Sequence, residues 1–135
     1  RLVGSEMCIR DRIVRWQSPV AHMCRTAMDD FEVGGKTIRK WDKVAIWYLS
    51  GNRDAAHFAD ADRLVIDRAN VRQHLSFGYG IHRCLGNRLA EMQLTILWQE
   101  IMQRFAHVEV VGEAKYLNSS FIRGITELPV RVHDR

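Results

Sequence analysis

The sequence predicts an α+β fold, mainly α, in which a few helices carry several small sheets. Three observations lead there. Residues 85–105 hold apolar side chains at helical spacing, residues 21–50 break into short apolar runs around turn signals, and two alternating runs, "HVEVVG" and "LPVRVH", lie near the C-terminus. The 135 residues are enough for one ordinary domain, and 47% hydrophobic content suits a packed core. No run of about 18 apolar residues exists, so no membrane span is expected.

In chain order, "RLVGSEMCIRDR" (1–12) lacks clean periodicity and starts without methionine. It resembles a translated adapter sequence and is read as foreign, with a native surface helix as the alternative. "IVRWQSPV" reads as a helix end stopped at Pro19, since the residue before a proline is driven out of the α region. Gly34-Gly35 marks a hairpin, and the apolar run 44–49 reads as a buried strand. "GNRDAAHF" reads as a turn leading into a short helix, and residues 59–76 as an irregular connection whose length suggests a functional role. In the helix at 85–105, Leu85, Leu89, Met92 and Ile96 form one stripe, and Ala90, Leu94, Leu97, Ile101 and Phe105 another. Two adjacent stripes make a wide apolar face, expected to sit deep in a core. "NSSFIRG" reads as the turn between the terminal strands.

The formal charge of +4 comes from interspersed bases and acids without a basic run, which excludes a nucleic-acid binder but allows one basic face for an acidic protein. Cys8, Cys24 and Cys84 are an odd, sparse set. They argue against a disulfide scaffold and for a reducing, cytoplasmic setting, and no secretory signal is visible.

The chemistry concentrates in "FGYGIHRCLGNRLA", residues 77–90. Gly78 and Gly80 permit positive φ and let something flat lie against the backbone. Cys84 falls just before a helix, where unpaired amides and the helix dipole favour negative charge, as on a thiolate. Gly86 removes a side chain beside the sulfur, and His82 and Arg83 supply donors for anionic groups. A thiolate, a flat opening and anion clamps describe a haem site with a sulfur axial ligand. The glycines do not form G-x-G-x-x-G, because position 83 is arginine, and no C-x-x-C-H for covalent haem is present. Zinc on His74, His82 and Cys84 fits no common ligand spacing. A lone cysteine is ordinarily an inert core residue, but the glycines, histidine and phenylalanine around this one argue against that.

The same fourteen residues match F-G-x-G-x-H-x-C-x-G-x-x-L-A, the haem-binding signature of the cytochrome P-450 superfamily, at every specified position. The resemblance runs from about Ile13 to the C-terminus and is strongest toward bacterial alkane and fatty-acid terminal hydroxylases, through "RWQSPVAHMCR", "WYLSGNRDAAHF" and "NSSFIRGITELPV". It implies that residues 13–135 are the C-terminal haem-binding part of one such domain, using haem b. The family's oxygen-activating helix would lie upstream, so the chain alone is expected to be inactive, with apolar surface exposed for want of packing partners. A haem-binding or haem-sensing module without oxidation chemistry is the alternative.

By position, the resemblance makes Cys84 the axial thiolate, whose electron donation favours O–O cleavage. Phe77 would shield the sulfur, Gly86 would leave its hydrogen-bond field open, and His82 and Arg25 would hold haem propionates. Arg15 and Arg68 match the two arginines of the family's structural Glu-Arg-Arg triad. Its glutamate is missing: Arg12 stands three residues before Arg15. Trp41 occupies a usual turn glycine, and Ala61 a common proline. Val20, Ala21 and Met23, with Phe121 and Ile122 of the terminal hairpin, would face an apolar substrate, whose burial is worth about 0.8 kcal/mol per methylene, while the neighbouring His22 is read as a structural histidine. Arg72, Arg83 and Arg88 would form the face that receives a ferredoxin-type electron donor, itself served by a reductase.

Overall fold

The computed structural model describes residues 5–66, 68 and 70–135, and the side chains among them other than those of residues 5–8 and 71. Helix α1 (Ser5–Gln17) is followed by strands β1 (His22–Thr26), β2 (Phe31–Val33), β3 (Lys36–Ile38) and β4 (Lys43–Trp47). The short helix α2 (Tyr48–Gly51) leads into a connection that holds no strand among the described residues. Helix α3 (Asn87–Arg104) then precedes β5 (Phe105–Val110), β6 (Lys115–Tyr116), β7 (Ile125–Glu127) and β8 (Val130–Asp134).

The strands form antiparallel pairs: β1 with β4, β2 with β3, β5 with β8 and β6 with β7. The β2–β3 turn has φ of 57° at Gly34 and 73° at Gly35, the two positive values that a tight hairpin matching the strand twist requires. The terminal strands pair as expected, with Val108 opposite Val132, and "NSSFIRG" joins an inner pair, β6–β7, nested within them. Trp41 adopts φ 75°, so the tryptophan occupies a left-handed turn position that suits glycine.

α1 stops where expected. Ser18 takes φ 43°, its amide donates to the Val14 carbonyl at 3.0 Å, and its hydroxyl donates to the Arg15 carbonyl at 2.7 Å, so two late carbonyls are capped before Pro19. The helix continues back through residues 5–12, with Arg10, Asp11 and Arg12 buried rather than on a surface. Residues 1–4 of that stretch, and the side chain of Cys8, lie outside what is described.

Three expectations change. The helix read at 85–105 begins only at Asn87, and none of its residues is buried: Leu89 and Met92 are more than half exposed. Among the described residues α1 is the one helix in extensive contact with it, so the wide apolar face is uncovered. The buried strand read at 44–49 is instead β4, with Ile46 and Trp47 exposed, because a two-stranded sheet covers little of either face. The short helix expected within "GNRDAAHF" lies just ahead of it, at α2, and 52–62 is a series of turns. The irregular stretch 59–76 contains one 3₁₀ turn, Val71–Gln73, with 67 and 69 outside the described residues.

The small core sits where α1, α2 and the turns meet. Val14, Ala21, Ala27, Tyr48, Phe58 and Ala61 are buried. Phe58 is covered by two guanidinium groups, Arg15 at 5.1 Å and Arg68 at 5.9 Å from its ring centroid.

Candidate haem-thiolate site

The cysteine loop is held by its own backbone. Gly78 donates to the Leu75 carbonyl at 2.8 Å, Arg83 to Gly80 at 3.0 Å, and the Cys84 amide to the Phe77 carbonyl at 2.8 Å. Two left-handed glycines make this possible: Gly78 at φ 71° and Gly80 at φ 75°, the latter opening a 3₁₀ turn over Gly80–His82. A Cβ at Gly78 would stand 3.2 Å from the Tyr48 hydroxyl, so that glycine also serves a close approach. Cys84 lies three residues before the first residue of α3, beside the unpaired amides of a helix start. A Cβ at Gly86 would meet the Cys84 Sγ at 3.9 Å, and glycine keeps that side of the sulfur clear.

A cavity of about 420 Å³ opens beside this sulfur. Its walls are largely apolar: Val14, Pro19, Val20, Met23, Phe77, Ala90 and Leu94, together with Tyr48, Gly78, Cys84 and the polar groups of Arg25, His82 and Ser76. Strand alternation explains Met23 and Arg25, which share one face of β1 while Cys24 points to the other and is exposed. Ala90 and Leu94, four residues apart on α3, supply one wall.

The candidate residues therefore separate. Cys84, Phe77, Gly78, His82 and Arg25 meet around one cavity, with Val20 and Met23. Ala21 is buried and donates to the Phe121 carbonyl at 2.9 Å; Val20 bridges Ile122. Phe121 and Ile122 thus stand beside the Val20 segment but do not line the cavity, and His22 packs on the Trp47 ring at 4.5 Å. Gly80 lies outside the lining and acts through the loop's shape. Arg72, Arg83 and Arg88 gather at a separate polar depression of about 620 Å³ with Arg10, Asp11, His74 and Glu91. Two of them are loosely paired there, Arg72 with Asp11 at 3.5 Å and Arg88 with Glu91 at 3.7 Å. Neighbouring His82 and Arg83 thus serve different surfaces. Among the described residues, no three His, Cys, Asp or Glu side chains cluster as a metal site, so His74, His82 and Cys84 are not brought together.

Sequence reasoning did not single out Tyr48, Pro19 or Ser76 as cavity walls, nor Asn52 behind them. Ala90 and Leu94 are the cavity walls that the helix stripe predicts. His74 is largely buried, which holds its imidazole below the ordinary histidine range against the opposing charge of Asp11.

Arg15 and Arg68 are joined by Arg12 in one buried cluster. Arg15 donates to the carbonyls of Asn52, Ala61 (3.1 Å) and Arg63 (3.2 Å). Arg68 donates to Ala59 and, at 2.9 Å, to Asp60; Arg12 donates to the Arg68 carbonyl at 2.7 Å. Burial, then the neighbouring charges of Arg68 and Arg53, lower the pKa of Arg15. Among the described residues, Nε and Nη1 of Arg12 and the Nε atoms of Arg15 and Arg68 have no partner.

Apolar walls, a thiol at a helix start and two basic side chains at one cavity define a site suited to a flat, dianionic macrocycle bound through sulfur. The family model for cytochrome P450 matches residues 6–127, and the chain belongs to that family, whose cofactor is thiolate-ligated haem b. It is 48% identical over 118 residues to the linalool 8-monooxygenase of Pseudomonas putida, covering 87% of this chain and 29% of that protein. It is 41% identical over 121 residues to a methyl-branched lipid omega-hydroxylase of Mycobacterium bovis, covering 89% and 28%. Among solved structures it superposes on cytochrome P450-153 from Novosphingobium aromaticivorans with a TM-score of 0.90 and 42% identity, covering 97% of this chain and 33% of that one. The chain thus spans less than a third of the length of the curated relatives it matches.

Proposed function

We propose that this chain is the C-terminal haem-binding part of a bacterial monooxygenase that hydroxylates terminal C–H bonds of alkanes or fatty acids. The domain part covers residues 13–135, residues 1–12 are foreign, and the parent is cytoplasmic. The observation that carries the reading is the convergence of Cys84, Phe77, His82 and Arg25 on one apolar cavity from segments about sixty residues apart.

Cys84 Sγ binds the iron, and the loop amides around it keep the sulfur in place. His82 and Arg25, at the polar edge of the cavity, hold the two propionates by charge-assisted hydrogen bonds. Phe77 excludes water from the sulfur side. Haem held there would supply the activation of dioxygen, with one oxygen atom inserted into the substrate C–H bond and the other released as water using two protons and two electrons. Those electrons come from a ferredoxin-type donor and its reductase. Arg72, Arg83 and Arg88, gathered at one exposed depression, attract its acidic face and raise the encounter rate.

The apolar cavity wall at Val20 and Met23 supports an alkyl substrate. So does the likeness to a protein named a lipid omega-hydroxylase. The chain alone is inactive, and its uncovered α3 face needs the remainder of the parent.

The test is spectroscopic. The reduced parent protein under carbon monoxide shows the strongly red-shifted Soret band of thiolate-bound haem, and Cys84→Ser loses that band or moves it to the neutral-ligand position. An unchanged spectrum in Cys84→Ser would remove Cys84 as the ligand.

A further inference from the structure

We infer that Asn52, which touches neither the cavity nor the sulfur, is a positioning residue for the cysteine ligand; this rests on the haem-thiolate reading of Cys84. Asn52 follows α2 directly and is fully buried. Its Nδ2 donates to the Ser18 and Ser76 hydroxyls, each at 2.8 Å, and its Oδ1 accepts from the Leu75 amide at 2.6 Å. The two hydroxyls in turn donate to α1, Ser18 to the Arg15 carbonyl at 2.7 Å and Ser76 to the Val14 carbonyl at 2.8 Å.

This network has a single sense. Each hydroxyl spends its one proton on a helix carbonyl and can only accept from Asn52. The Leu75 amide can only donate. The amide of Asn52 therefore cannot flip without leaving buried groups unpaired, and an aspartate cannot replace it. What the network holds is the entry to the cysteine loop. Leu75 and Ser76 run directly into Phe77, whose carbonyl accepts the Cys84 amide at 2.8 Å. One side chain thus locks the α2 turn, the end of α1 and the start of the loop, while α3 holds the loop's other end.

The arms of the network predict unequal effects. Ser76→Ala cuts one of the two arms to the loop, together with that hydroxyl's own bond to the Val14 carbonyl, and Ser18→Ala cuts only the arm to the end of α1. Asn52→Asp removes both N–H donors while preserving shape. In the haem-loaded parent protein, at a fixed sub-denaturing urea concentration, the measured quantity is the rate at which the reduced carbon monoxide complex passes from the thiolate band to the neutral-thiol band. Ser76→Ala accelerates it about tenfold, the factor expected for roughly one lost buried hydrogen bond, Asn52→Asp, which loses both donors, accelerates it more than about tenfold, and Ser18→Ala changes it less than about twofold. Amide exchange in the same protein, with and without haem, shows Leu75 and Cys84 exchanging faster in the first two variants only. Wild-type rates and exchange in Ser76→Ala, or equal acceleration in Ser18→Ala, overturn the inference even where Asn52→Asp fails to fold. A wild-type protein without any thiolate band overturns instead the assignment of Cys84 beneath it, and the inference with it.

Discussion

Arg12→Glu should stabilise the protein, and the buried arginine cluster shows by how much. Arg12 is only 4% exposed, and its side chain reaches the backbone of Arg68. The substitution removes two unpartnered buried donors, Nε and Nη1, each worth about 1–3 kcal/mol, and one of three like charges. It also offers carboxylate oxygens to the unpartnered Nε atoms of Arg15 and Arg68, at about 1.5–3 kcal/mol per charge-assisted bond. Against this stand the lost bond to the Arg68 carbonyl, about 1 kcal/mol, and several kcal/mol for dehydrating a carboxylate. A net gain of about 3 kcal/mol follows, because the two arginines are already desolvated and the new charge completes them. Urea unfolding of a parent protein carrying residues 1–12 of this sequence reads it as the shift in midpoint multiplied by the slope. The flanking guanidinium groups hold the new carboxyl below its unfolded value of about 4.3. The gain is therefore complete above that pH and disappears as pH falls through the lower folded-state value. Arg12→Gln, which removes charge without supplying an anion, gains less and shows no such loss in acid. If Arg12→Glu is no more stable than wild type, or matches Arg12→Gln at every pH, the cluster does not require a carboxylate.

Two further outcomes test the loop and its surroundings. Gly78→Ala and Gly80→Ala both force a β-carbon into positive φ, costing about 1–2 kcal/mol each, but only at Gly78 does the new atom also meet the Tyr48 hydroxyl. The urea midpoint should fall further for Gly78→Ala, and adding Tyr48→Phe should bring it back to the Gly80→Ala level but not to wild type; no recovery would show that the hydroxyl is not the obstacle. His74, whose burial holds its pKa below the ordinary value of about 6.5, takes a proton less readily when folded than when unfolded. Stability should therefore be full above about pH 6.5 and decline as pH falls toward the lower folded-state value, and His74→Gln should flatten that part of the profile; equal slopes in both proteins would place the sensitivity elsewhere.

The parts legible from sequence are those whose conformation depends on a few neighbouring residues. Gly34-Gly35 sets a hairpin and Gly78 and Gly80 set a loop because positive φ is a property of single residues, and the period of 85–105 marks a helix because it repeats along one segment. The cysteine signature could be found for the same reason, its glycines, histidine and thiol being consecutive. Burial and hydrogen-bond partners are not local quantities. The apolar run 44–49 has the composition of a core strand, yet among the described residues no second layer covers β4, and the wide face of α3 is open because those residues provide little to lie on it. Arg25 shares a cavity with Cys84, and Asn52 meets Ser18, Leu75 and Ser76, only because strand, turn and loop fold against one another. Sequence determined which residues could bend and which could ligate; the tertiary structure decided which of them share a cavity, since contact between segments sixty residues apart depends on how the whole chain closes.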